Sequence, residues 1–485
     1  MAHTSRHMQQ PTKRPRADDA ETISLNDAEL TRLIDRLALL KQPCGAEAAS
    51  LLKKAAAPAA AAAAPPTKHG AAEELLDMAW RELHTGHWAA VDAAWRAAYM
   101  AAALLAARAS WHRCGEASSC LRTIDLGLML GDTTFRKSLL EAADFYERQH
   151  ALHKTPLAST AADATADATA DDSADDSAAA SSSVSPPLRA LSGTLPPPPL
   201  LRLPSLAFFF NEHMVPSRPA VLTGVIDGWP ACSTRPWSNL EYLKSVAGHR
   251  TVPVEHGAHY LDAAFEERLM TLAEYVDTHV RAPPQPAGGG SRAYLAQHQL
   301  FEQCPKLMRD IVRPDYCVLS LEEEEEDDDE EEGGGGGDIG GGGDGEGEGG
   351  GGDASETTRR AGGRAAETID DVRVNAWFGP AGTLSPLHFD RYHNLLAQVV
   401  GSKYIRLYAP EHSEKLYPRK SGPHVVSSQI VEPDADDVRE RFPRFADAPY
   451  VDLVLRAGEC LYIPPRWWHL VEAREVSFSV SFWWM

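Results

Sequence analysis

The sequence has no CxxC pair, and its seven cysteines, at 44, 114, 120, 232, 304, 317 and 460, are scattered and odd in number. That spacing excludes a thiolate zinc site and a disulfide framework, and points to reduced thiols. An apolar run of membrane-spanning length is also missing, because the Ala-rich stretch 55–64 is interrupted by Pro58 and carries no large apolar side chain. The opening MAHTSRHMQQPTKRPR has no apolar signal core. The expectation is a soluble protein of the nucleus or cytoplasm with no membrane partner. A basic stripe is absent as well. The net charge of −22 is accounted for by two segments, 322–353 with 16 acids and no base, and 163–176 with six aspartates. The remainder is close to neutral and suggests no direct nucleic-acid groove.

With 485 residues and 43% hydrophobic composition, the chain has material for two or three domains. Residues 1–68 read as a mostly disordered segment, with KRPR (13–16) as a candidate nuclear import signal and one amphipathic helix in NDAELTRLIDRLALLK. There Asn26 and Glu29 form a capping box, and Leu30, Leu33, Ile34 and Leu37 share a face. From 69 to 150 the pattern is helical: Val91, Trp95 and Tyr99 stack at a spacing of four, and Gly131 ends one helix before Asp132 or Thr133 caps the next. A small α-helical bundle with a core stripe follows, suited to docking or scaffolding. Residues 151–199 are a low-complexity linker stiffened by LPPPPLLRLPS.

From 200 to 485 the pattern changes to short strands with frequent Gly and Pro, and a mainly β domain is expected. In VSFSVSFWW, Val476, Phe478, Val480 and Phe482 alternate with serines, as in a half-buried strand. Gly401 and Ser402 in VVGSKY have the length and chemistry of a tight hairpin. The acidic and glycine-rich stretch 321–366 cannot bury anything and must loop out of this domain, which costs little because closure entropy grows only logarithmically with length.

The triplet His388-Phe389-Asp390 is common by chance in a chain with 19 histidines, so its surroundings must carry the argument. At the end of a strand, residues two apart point to one side, and two histidines with one carboxylate are the ligand set of a non-haem iron(II) oxygenase. His469 in AGECLYIPPRWWHLVEA is the best-placed second histidine, with His393 as competitor; His412 and Glu414 in EHSE read as solvated. Lys403 shares a strand face with Ile405 and Leu407, and a lysine among apolar neighbours needs an anion. The distal carboxylate of 2-oxoglutarate would provide one.

WFGPAGTLSPLHFD, LLAQVVGSKYIRLYAP, AGECLYIPPRWWH and SFSVSFWW, together with RAYLAQHQLFEQ and PDYC, resemble the JmjC oxygenases, and among them the JmjC domain-containing protein 5 (lysine demethylase 8) family. The resemblance spans 200–485 apart from the insertion, and the helical module fits that family's plan. It implies a double-stranded β-helix of the cupin-like JmjC type, flanked by helices and preceded by a small all-α module. His388, Asp390 and His469 are then the iron ligands. Lys403 and Tyr294 hold the distal carboxylate of 2-oxoglutarate, Ser385 and Asn394 add polar contacts, and Trp483 lies by the pocket. Glu255 in TVPVEHG is similar to the acid that receives an arginine substrate, and Phe265 stands where relatives carry a tryptophan.

The implied cofactors are iron(II), 2-oxoglutarate and dioxygen, with ascorbate as supporting reductant. Glu255 makes protein arginyl hydroxylation the first expectation, since a carboxylate pairs with guanidinium in fork geometry. Histone lysine demethylation of the JmjC type is the alternative, and a chromatin or assembly scaffold with little catalysis is a reading from another class. The partners expected are a protein with an arginine or methyl-lysine side chain, from chromatin or the ribosome.

Overall fold

The computed structural model of the chain describes residues 25–40, 44–57, 70–85, 91–154, 191–281, 292–321, 372–422 and 424–485. KRPR, residues 155–190 of the low-complexity linker and all of the acidic insertion except Leu321 lie outside the described residues.

The helical module is built from α1 (Asp27–Leu39), α2 (Gly45–Ala56), α3 (Ala71–Leu83), α4 (Ala93–Cys114), α5 (Ala117–Leu130) and α6 (Arg136–Lys154). Asn26 caps α1 by accepting from the amides of Ala28 and Glu29, and Leu33, Ile34 and Leu37 are its buried face. One core runs from Leu25 to Tyr146 and includes Trp95 and Tyr99. It therefore reaches into the segment expected to be mostly disordered. The unforeseen helix, α2, buries mainly alanines and Leu52. Such a face is too small in side-chain volume to register as periodic hydrophobicity, although alanine is the best helix former. The strongly buried α4 forms the centre, with residues of nearly every face inside.

Two sheets make the second unit. The larger orders β1 (Leu200–Arg202), β2 (Ala220–Thr223), β11 (Glu459–Ile463), β8 (His393–Val400), β13 (Ser477–Trp484), β6 (Arg373–Gly379), β5 (Arg292–His298), β3 (Thr251–Gly257) and β4 (Glu266–Thr271). The smaller orders β10 (Val451–Arg456), β9 (Ser402–Tyr408), β12 (Trp468–Ala473) and β7 (Leu384–Phe389). Their facing sides interlock through Leu396, Leu461 and Ile463 of one sheet and Ile405, Leu407 and Val471 of the other. Two sheets, antiparallel apart from the β1–β2 pair and closed on a common interior, are a double-stranded β-helix.

Two expectations about strands need correction. β13 is buried along its whole length, on both faces. Phe478, Val480 and Phe482 pack outward against Trp229, Trp237 and the helices over the large sheet, while the serines face the barrel interior, where Ser479 and Ser481 bond to Gln398 and Trp377. Period-two chemistry here separates an apolar core outside the barrel from a barrel interior in which polar and apolar side chains mix. The second correction concerns Gly401. β8 pairs with β11 and β13, whereas β9 pairs with β10 and β12, so Gly401 turns a corner between sheets and closes no hairpin. Its φ of +72° and the 2.2 Å that would separate a Cβ from the Val476 carbonyl oxygen explain why glycine stands there.

The module docks on the barrel through a buried ion network. The Arg250 guanidinium, just ahead of β3, donates from Nε (2.9 Å) and Nη2 (2.5 Å) to Asp125 Oδ1 of α5, and from Nη1 to Glu147 Oε1 of α6 at 2.9 Å. The Thr251 amide donates to the other Asp125 oxygen at 2.8 Å. Burial alone would raise the Glu147 carboxyl, but His249, Arg250 and Lys306 around it hold it at about 2.

Candidate active site

His388 and Asp390 leave the end of β7, and His469 starts the neighbouring strand β12, directly opposite His388 in register. The three residues offer ligand atoms that all lie within 4.8 Å of one another. Both imidazoles are oriented by the backbone: His388 Nδ1 donates to the Pro386 carbonyl at 2.7 Å, and His469 Nδ1 to the Trp467 carbonyl at 2.9 Å. A carbonyl can only accept, so each Nδ1 carries a proton, and Nε2 is the nitrogen left to meet a metal. Burial, then the neighbouring His388, pushes His469 down to about 4, which keeps it neutral as a ligand must be. His469 Nε2 lies 3.6 Å from Asp390 Oδ2, and that buried oxygen has no hydrogen-bond partner. Two imidazole nitrogens and an unsatisfied carboxylate, converging at this distance, fit one divalent cation of the iron type.

The same cavity is lined by Tyr294, Trp377, Asn394, Leu396, Lys403, Ile463 and Val471. Lys403, at the start of β9, is buried, and its Nζ donates to the Tyr294 hydroxyl at 3.2 Å. Among the described residues no carboxylate forms an ion pair with it, and burial pushes its ammonium down to about 7. Ser385 shares a further hydrogen bond with Tyr294, whose hydroxyl is raised well above its ordinary value, by burial first and then by Glu255 and Tyr275. Asn394 Oδ1 is buried without a partner. A buried cation and a metal-ligand set lining one cavity are the two fixtures a 2-oxo dicarboxylate requires, so the residues present fit 2-oxoglutarate.

Glu255 sits on β3 directly between Glu267 of β4 and Tyr294 of β5 in register. Burial, then Glu267, raises it to about 7. Trp483 and Phe265 are not brought into the cavity. Trp483 pairs with Asn394 in register, but its ring stacks on Tyr392 at 5.7 Å and lines a separate cavity toward the helical module. Phe265, 37% exposed, lies on the turn before β4. His393 faces away, sharing a 2.7 Å hydrogen bond with the Tyr462 hydroxyl and stacking on Trp484, so it does not compete for the metal position. His412 and Glu414 lie on a short 3-10 helix, Pro410–Leu416, apart from the triad. Sequence reading missed Tyr260, whose ring meets His388 edge-on at 6.4 Å and whose hydroxyl lies 3.0 Å from Ser427 Oγ. It follows β3 on a turn, and no periodicity marks it.

The sequence comparisons agree with this geometry. Residues 205–485 match the family described as "Cupin-like domain", and residues 50–176 match "KDM8-like, N-terminal ARM repeats". The chain belongs to the cupin-like JmjC oxygenases. Lysine-specific demethylase 8 of Xenopus tropicalis is 34% identical over 446 residues, covering 86% of this chain and 88% of that protein. Lysine-specific demethylase JMJ30 of Arabidopsis thaliana is 34% identical, with 85% of each chain covered. Jumonji C domain-containing protein 5 of Drosophila melanogaster is 36% identical over 59% of each. As a JmjC oxygenase of the lysine demethylase 8 kind, the chain is a 2-oxoglutarate-dependent dioxygenase. Among the described residues no helix is long and apolar enough to cross a membrane.

Proposed function

We propose that this JmjC oxygenase oxidises a basic side chain of a protein substrate, and that the reaction is removal of a methyl group from N-methyl-lysine. What carries the demethylase reading is the name of its relatives: proteins 34% and 33% identical across most of the chain are called lysine-specific demethylase 8. It replaces the arginine hydroxylation expected first from sequence. With iron(II) and 2-oxoglutarate bound, oxidative decarboxylation to succinate and carbon dioxide is coupled to placing one atom of dioxygen in a C–H bond. His388, Asp390 and His469 hold the metal; Lys403 and Tyr294 hold the distal carboxylate, with Ser385 fixing the tyrosine. Glu255 and Glu267 provide negative charge for the cationic side chain, and the Tyr260 ring offers an aromatic face beside the metal end. A hydroxylated N-methyl group loses formaldehyde, which completes demethylation.

Arginine hydroxylation is kept as a second reading by one observation. Glu255 is a buried acid beside the cavity, and a carboxylate matches guanidinium through two parallel hydrogen bonds. A chromatin substrate would require nuclear entry, and a ribosomal one would not. The test is succinate formation by the purified protein with iron(II), ascorbate and 2-oxoglutarate, wild type beside His388→Ala, with mass spectrometry of added methyl-lysine and arginine peptides. Loss of a methyl group from lysine, absent in the variant, is the expected result. Gain of one oxygen on arginine instead would overturn demethylation in favour of hydroxylation.

A further inference from the structure

β7 stands last in the order of the smaller sheet, yet its outer edge is not bare where the metal ligands lie. The Phe389 amide donates to the Val426 carbonyl at 3.0 Å, and the Ser428 amide to the Leu387 carbonyl at 2.8 Å. Between these two bonds His388 is bridged to Ser427 in antiparallel register. His388 therefore has a backbone partner on each side, His469 of β12 and Ser427 of the segment that joins β9 to β10. Directly opposed residues of an antiparallel pair project to the same face, so the Ser427 hydroxyl is turned to the face of the metal-binding imidazole. There it lies 3.0 Å from the hydroxyl of Tyr260, which follows β3 of the large sheet. One hydrogen bond thus joins the turn after Glu255's strand to the segment that clamps His388. The Tyr260 ring meets His388 edge-on at 6.4 Å and lies 5.3 Å from the ring of His424. Burial pushes its hydroxyl up to about 12 against the Ser427 hydrogen bond, with Asp390 and then Glu255 adding to the rise. Both acids are accordingly within electrostatic reach of the phenol, one at the metal and one on β3.

We propose that Tyr260 selects a cationic side chain at the metal, and that Ser427 is the positioning residue that holds it there. The proposal deepens, and rests on, the reading of a basic side chain as the target. An aromatic ring with two carboxylates in reach offers an ammonium or guanidinium both a quadrupole and opposite charge as it leaves water. Tyr260 is half-buried, so it keeps surface for such a group, whereas Ser427 is 1% exposed and acts only through the tyrosine. The hydrogen bond sits at the far tip of the phenol, where a single contact suffices to stop the ring from swinging about its two side-chain torsions. Ser427 is itself fixed by the bridge to His388 and by its carbonyl, which accepts from the Arg419 amide at 2.9 Å. The position of the selecting ring is thereby tied to the backbone of a metal ligand.

The test uses three pools of fluorescent peptides with randomised neighbours and a central dimethyl-lysine, arginine or norleucine, binding to the full chain loaded with manganese(II) and 2-oxoglutarate. The quantity read is the affinity for the better cationic pool divided by that for the norleucine pool. A variant that merely loosens the fold weakens all three pools alike and leaves this ratio where it was. The wild type should show a ratio of at least about ten. Tyr260→Leu should lower it about two- to thirtyfold, the range of a cation on an aromatic face. Tyr260→Phe and Ser427→Ala remove the same hydrogen bond, so each should lower it about threefold, the double variant no further than either alone, and Ser427→Thr should restore it. A wild-type ratio near one, or an unchanged ratio in Tyr260→Leu, overturns the selecting role. An unchanged ratio in Ser427→Ala, or effects that multiply in the double variant, overturn the positioning role. Wild-type succinate formation is recorded separately, so that loss of the oxygenase reading and loss of the selecting pair are distinguishable.

Discussion

Lys403 is the side chain in which function and stability pull against each other most plainly. Its folded value of about 7 lies below the ordinary lysine value, so from pH 7 to about 10.5 the unfolded chain binds the extra proton and the ligand-free protein gains stability as pH rises. Lys403→Met should therefore raise the melting temperature of the ligand-free protein near pH 7, while its dissociation constant for 2-oxoglutarate rises about ten- to a hundredfold, the worth of a charged hydrogen bond of about 1.5–3 kcal/mol. Calorimetry of both variants checks the two halves together. In the wild type, 2-oxoglutarate affinity should fall above pH 7 as the ammonium loses its proton. Glu255 gives a prediction of opposite sign. Raised to about 7 by burial and Glu267, it ionises as pH rises through neutrality, so KM for a cationic peptide should fall from pH 6 to 8 and be flat in Glu255→Gln. Among these residues His388 and Asp390 were legible because both lie at one strand end, and Lys403 because its neighbours on the strand are apolar. Glu255 and Tyr294 needed family resemblance, because the contact between them spans two strands with no local signal.

At the scale of elements, strand existence was legible and strand partnership was not. The alternation in β13 revealed an extended segment, but alternation records only that two faces differ, and here the polar face is the barrel interior. VVGSKY has the residues of a hairpin turn, yet its strands go to opposite sheets, because pairing is decided by β11, β12 and β13 far along the chain. Gly401→Ala tests the corner directly. A left-handed φ forced on alanine costs about 1–3 kcal/mol, and the contact with the Val476 carbonyl adds to it, so the melting temperature should fall by several degrees. A hairpin that could relax freely would give a much smaller drop. The corner also holds Lys403 two residues after Gly401, so weaker 2-oxoglutarate binding should accompany the loss.

For the whole molecule, the decisive group is Arg250. It is 2% exposed and shared by Asp125 and Glu147 of the module, while the strand it introduces carries Glu255 toward the cavity. Replacing it by alanine leaves two buried acids without their cation, which by precedent costs about 3–5 kcal/mol, more than removing an exposed pair would. Arg250→Ala should therefore uncouple the units, turning one thermal transition into two, with the module melting first. The pH dependence follows from the depressed Glu147 value of about 2. Its stabilisation is present above the unfolded carboxyl value of about 4.5 and is lost as pH falls toward 2. In the wild type the two transitions should thus separate on acidification within that window, and in Arg250→Ala they should be separate already at neutral pH. A single transition in the variant at pH 7, unchanged in temperature, would mean that the apolar contacts of the interface hold the module in place and that the ion network contributes little.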